Sequence, residues 1–125
     1  MKIVNKKNIV IGKIKVEGFH FYPTAPQLVE YLAQKHRHTF EITFGYQVTD
    51  LDREREIFIE RNRVLSFIFS KYPNVEHEIY FTNRSCEMIA NDILSEFEDD
   101  GMIFCEVWEE QTGGARIEVE SDHWK

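Results

Sequence analysis

Cysteine is scarce in this chain. Cys86 and Cys105 stand far apart and outside any C-x-x-C spacing, which excludes a disulfide framework and a four-thiolate zinc site. Long apolar runs are also missing. None approaches the roughly 18 residues that a bilayer-spanning helix needs, and the opening Met1, Lys2, Ile3, Val4, Asn5, Lys6, Lys7 carries no signal-peptide core. The expected location is therefore the cytoplasm, with no membrane partner. Bases are outnumbered: 15 Lys and Arg face 22 Asp and Glu, a formal net charge of −7 with His neutral. Such a surface repels phosphate backbones, so nucleic acid is not an expected partner unless the bases cluster. The densest stretch, Arg53 to Arg63, alternates Arg53, Glu54, Arg55, Glu56 and then Glu60, Arg61, Arg63, which reads as a solvated face of compensating charges. There is no internal repeat, low-complexity tract or linker. With 42% hydrophobic residues, 125 residues read as one domain, 1–125, with a real core.

What is present is periodic. Ile9 and Ile11, then Ile14 and Val16, alternate but change parity around Gly12 and Lys13, which predicts a strand with a bulge there. Phe40, Ile42, Phe44, Tyr46 and Val48 alternate with Thr39, Glu41, Thr43, Gln47 and Thr49, a half-buried antiparallel strand. Between them, Leu28, Val29, Tyr31 and Leu32 fit a short helix opened by Pro26. Val64, Leu65, Ile68, Phe69 and Tyr72 form the stripe of an amphipathic helix stopped by Pro73. A second helix is expected from about Ser85, its N-cap, to Phe97, with the stripe Ile89, Ala90, Ile93, Leu94 and Phe97. Asp99, Asp100 and Gly101 turn the chain into a strand from Met102 to Glu109, and Gly113 and Gly114 separate it from a last strand, Ala115 to Glu120. The order strand, strand, helix, helix, strand, strand predicts an α+β domain, a four-stranded antiparallel sheet with two helices on one face.

The chemistry starts from the five histidines, His20, His36, His38, His77 and His123. Period two puts His36 and His38 on one face of the Phe40 strand, the face that carries its core residues. His-x-His alone is a weak signal, and two polar residues capping a strand account for it. A catalytic zinc takes three protein ligands and keeps an open position. His20 supplies the third, because Ile14, Val16, Gly18 and His20 share one parity and end their strand at the same sheet edge. Three neutral imidazoles leave the ion's charge uncompensated, which favours an oxygen-rich substrate or water beside it.

Four segments carry a resemblance. Val16, Glu17, Gly18, Phe19, His20, Phe21, Tyr22, Pro23 is similar to the first metal motif of the 6-pyruvoyl-tetrahydropterin and 6-carboxy-tetrahydropterin synthase family. His36, Arg37, His38, Thr39, Phe40 resembles its His-Gly-His. Asn83, Arg84, Ser85, Cys86, Glu87 resembles its Asn-Pro-Thr-x-Glu helix start, and Val107, Trp108, Glu109 through Gly114 and Ala115 its last hairpin. The matches fall in order and cover nearly the whole chain. The resemblance implies the tunnelling fold and a homo-oligomer, commonly a hexamer built as a dimer of trimers. It also implies zinc on His20, His36 and His38, and a pterin whose ring nitrogens are held by Glu109. A carboxylate accepts two parallel hydrogen bonds from the amidine edge of a pterin, which suits that role.

The departures are specific. The family's catalytic cysteine, four residues before the first histidine of the His-x-His pair, corresponds to Leu32. The nearest counterpart of its Asp-His couple is Glu76 and His77, in which a carboxylate orients an imidazole. Arg37 and Arg84 replace the family's glycine and proline. Two functions follow. One is a zinc enzyme acting on a pterin triphosphate or a related pterin or purine-like compound by metal-assisted proton abstraction and carbon-oxygen bond cleavage, with Glu30 or Tyr31 replacing the missing thiol. The other is a zinc- and pterin-binding protein that has lost the synthase chemistry.

Overall fold

The computed structural model describes residues 5–120, so His123 lies outside the described residues. The chain runs β1 (Asn8–His20), β2 (His36–Val48), α1 (Ile57–Lys71), β3 (Asn74–Val75), β4 (Glu78–Tyr80), α2 (Cys86–Phe97), β5 (Met102–Glu109) and β6 (Gly113–Glu118). The strands form one sheet in the order β3-β4-β1-β2-β5-β6. The expected four-stranded antiparallel sheet is its β1, β2, β5 and β6 portion. Two short strands between the helices extend it, and β4 joins β1 in parallel through Gly18 opposite Ile79 and Phe19 opposite Tyr80. Strands of two and three residues are too short to show the alternation from which a strand is read.

Alternation builds the long hairpin. Gly12, Ile14, Val16, Gly18 and His20 are buried on β1, while Lys13, Lys15 and Glu17 are exposed. Pairing with β2 runs unbroken from Asn8 opposite Val48 to His20 opposite His36. The bulge expected near Gly12 is therefore absent. Ile9 and Ile11 keep the strand's phase and lie on the outer face, 36% and 53% exposed. Gly12 sits in phase on the inner face because a Cβ there would fall 2.5 Å from Phe44 Cζ. The register shift occurs instead between Gly45 and Tyr46, where β2 meets β5.

Both helices cover the inner face. Val64, Ile68 and Tyr72 from α1 and Ile89, Ala90, Ile93, Leu94 and Phe97 from α2 join Phe40, Ile42, Phe44 and Tyr46 of β2 in one core. The caps are local. Glu56 accepts from the backbone N–H groups of Phe58 and Ile59 at the start of α1. Ser85 Oγ accepts from Met88 N, satisfying one free donor at the start of α2. Pro26 opens a 3-10 helix, Gln27–Ala33, which buries none of its residues. The stretch read as a solvated charged face is partly interior. Glu60 is buried, 6% exposed, between Arg55 and Arg63, and both guanidinium groups also reach Asp100 after α2. The last turn differs as well. Glu110 and Gln111 take its left-handed conformations, φ 48° and 64°, and both glycines start β6. Gly114 is required there by contact, since a Cβ would lie 2.4 Å from Val107 O. No helix among the described residues is long and apolar enough to cross a membrane.

Candidate metal centre and adjoining cavity

The β1–β2 register creates the centre. His20 pairs directly with His36 and Gly18 with His38, so three inward imidazoles meet at one end of the sheet. Their ring centroids lie 4.5 Å (His20 and His36), 5.1 Å (His20 and His38) and 4.9 Å (His36 and His38) apart. Phe40 packs edge-on beneath His20 and His38, at 5.2 and 5.6 Å, and forms an apolar floor. Arg37, between the two histidines, turns outward to Glu78 and Glu17.

Each imidazole is held through Nδ1. His20 Nδ1 bonds Arg84 O at 2.9 Å, His36 Nδ1 bonds Gln34 O at 2.9 Å, and His38 Nδ1 bonds Glu110 Oε1 at 2.6 Å. All three partners are acceptors, so the proton of each neutral ring sits on Nδ1 and Nε2 presents a lone pair. Glu110 is fixed in turn, because Thr39 N donates to its Oε2 at 2.6 Å. One ligand atom from each histidine lies within 4.8 Å of the others. His38 Nε2 is buried and makes no hydrogen bond. Convergent imidazoles with their second nitrogens on oxygen acceptors, and a buried lone pair left over, fit a divalent ion such as zinc.

A cavity of about 610 Å³ opens beside the centre, within the size range of small-molecule sites. His20, His36, Leu32, Cys86, Glu87 and Glu109 are among its lining residues. Glu109 ends β5 opposite Phe40 and is half-buried. Its Oε2 lies 3.2 Å from His20 Nε2 and its Oε1 3.5 Å from His38 Nε2. A hydrogen bond from His20 holds the Glu109 carboxyl below its ordinary range, against the opposing effect of burial. Burial pulls the His20 imidazole down, but Glu109, the Arg84 carbonyl and Glu110 outweigh it and leave the net shift upward. Cys86 Sγ donates to Glu109 Oε2 at 3.5 Å. Burial, with Glu109 beside it, pushes that thiol up to about 12.

The other expected residues are placed differently. Leu32, at the position of the family cysteine, lines the cavity, whereas Glu30 and Tyr31 do not. Glu76 and His77 form the turn between β3 and β4 with left-handed φ values of 51° and 70°. The His77 ring lies 6.5 Å from Phe69, and neither residue lines the cavity of its own chain. Sequence reading passed over Glu110, which orients His38, and Cys86, which contacts Glu109. A Glu-Glu dipeptide before a turn and a cysteine after an N-cap carry no pattern that marks them.

No protein-family model matches the chain, and no curated protein matches it by sequence. Solved structures do match. The 6-pyruvoyl tetrahydropterin synthase of Caenorhabditis elegans superposes with a TM-score of 0.63 at 6% identity, over 92% of this chain and 97% of that one. The uncharacterized protein WS1659 of Wolinella succinogenes gives a TM-score of 0.65 at 12% identity, over 93% and 100%. Identities this low speak for backbone arrangement and not for activity. Both superpositions span nearly the full length of each partner, and the chain has the fold of 6-pyruvoyl tetrahydropterin synthase.

Proposed function

We propose that this chain is a zinc-dependent enzyme of the tetrahydropterin synthase type, acting in the cytoplasm on a pterin or a related purine-like compound. The observation that carries the reading is the convergence of the ligand nitrogens of His20, His36 and His38 with every Nδ1 already held. Zinc, when bound, supplies Lewis-acid polarisation of a substrate oxygen. The rest falls to side chains. Glu109 accepts the two parallel hydrogen bonds of an amidine edge, and Leu32 and Phe21 offer the ring apolar wall to pack against. Glu76 and His77, adjacent in the turn between β3 and β4, are the proton-transfer pair. Because they lie outside the cavity of their own chain, the role requires a second copy to bring them to it. A homo-oligomer is therefore part of the proposal.

Metal analysis of protein purified without an affinity tag is expected to find about one zinc per chain. Metal retained after His20→Ala and His36→Ala together overturns the centre. Incubation with dihydroneopterin triphosphate, followed by product analysis, tests the chemistry. Leu32 supports a second reading, since an apolar side chain stands in the cavity where the family has a thiol. On that reading pterins bind and raise the melting temperature, but nothing is turned over.

A further inference from the structure

Glu109 lines the cavity beside the histidines. Its two oxygens face the Nε2 atoms of His20 and His38 at 3.2 and 3.5 Å. With the Nδ1 protons committed to Arg84 O and Glu110, each Nε2 offers a lone pair whenever its ring is neutral. Without metal, a proton on His20 Nε2 bridges it to Glu109 Oε2; a divalent cation held by neutral imidazoles would take that proton's place. The spacing of Glu109 from His20 and His38 fits a shared metal ion. Bonds of about 2.0–2.2 Å at a tetrahedral angle separate neighbouring ligand atoms by about 3.3–3.5 Å. Charge points the same way, because three neutral imidazoles leave both positive charges of a divalent ion uncompensated and a carboxylate removes one.

We propose that Glu109 is the fourth protein ligand of the resting metal centre, so that the centre is closed until a ligand in the cavity draws the carboxylate away. The inference rests on the metal reading of the three histidines and adds a second task to Glu109. The same side chain closes the centre when the cavity is empty and holds the ring when it is filled. Occupancy of the cavity thereby sets the number of protein ligands at the metal. On the cavity side, the Cys86 thiol donates to Glu109 Oε2.

Cobalt(II) titration of the full chain tests the idea without any turnover assay. The wild-type protein is expected to show the intense visible bands of a four-coordinate centre. Glu109→Gln, nearly isosteric and checked by its melting curve, is expected to shift those bands and to weaken cobalt binding at least tenfold, while Glu109→Asp restores part of both. Neopterin added to the cobalt-loaded wild type is expected to move its spectrum toward that of Glu109→Gln. If Glu109→Gln binds cobalt within twofold of wild type with the same spectrum, Glu109 is not a ligand, although the histidine centre stands. If neopterin binds and the spectrum does not change, the exchange is wrong. If the wild type binds neither cobalt nor zinc, the metal reading itself fails, and this inference with it.

Discussion

Cys86 shows how a single side chain in this cavity is governed by its neighbours. It sits at the first turn of α2, where a helix N-terminus ordinarily favours a thiolate. Burial and the Glu109 carboxylate oppose that and push the thiol up to about 12. At pH 8 the metal-free protein should hold on the order of a thousandfold less thiolate at Cys86 than a free cysteine does. Iodoacetamide labelling followed by peptide mass mapping is expected to be correspondingly slow there. Labelling at the rate of a free cysteine refutes the environment described. The histidines were legible one residue at a time because period two, applied to each strand separately, sends all three inward. Their orienting partners were not legible. Arg84 and Gln34 act through carbonyl oxygens, which every residue type has, and Glu110 acts through a turn whose left-handed backbone falls on Glu and Gln instead of the neighbouring glycines.

At the level of elements, the parallel join of β4 to β1 depends on Gly18. A Cβ there would lie 2.9 Å from Ile79 O and 2.9 Å from a Phe81 ring carbon. Gly18→Ala is expected to cost about 1–3 kcal/mol by overpacking, and to weaken zinc binding because His20 lies two residues on. Gly113→Ala, with nothing within 4 Å of the new methyl, should leave the melting temperature unchanged, and equal effects of the two would rule out the contact. The Arg55, Arg63 and Asp100 cluster ties α1 to the turn after α2. Both guanidinium groups hold the Asp100 carboxyl below its ordinary range, so its stabilisation is present above the unfolded carboxylate pKa and is lost as the pH falls through the depressed value. Asp100 is half exposed, which limits the loss in Asp100→Asn to about 0.5–1 kcal/mol at pH 7. Urea melts should show the gap to wild type narrowing as the pH falls below the ordinary carboxylate range, whereas a gap constant with pH contradicts the assignment. The helices and the β2 strand were readable because their stripes are long. The bulge expected in β1 was misplaced because a glycine and a parity change look the same whether the chain kinks or a glycine makes room for Phe44.

At the scale of the whole molecule, β6 is an edge with no partner strand among the described residues. The proposed proton-transfer pair also lies away from the cavity of its own chain. Sedimentation is expected to give a multiple of the 14.9 kDa chain mass, and a stable monomer with full activity would exclude a shared site. The overall plan was readable in the order of elements, while the short β3 and β4 strands that widen the sheet were not. Two of the three imidazoles are oriented by main-chain carbonyls, Arg84 O and Gln34 O, and the third by a glutamate locked to Thr39 N. Cavity-lining side chains such as Leu32, Thr24 and Met88 take no part in that orientation. Such a division lets mutation remodel those cavity walls over evolutionary time, or in a directed library, while the arrangement of the three imidazoles passes through unchanged.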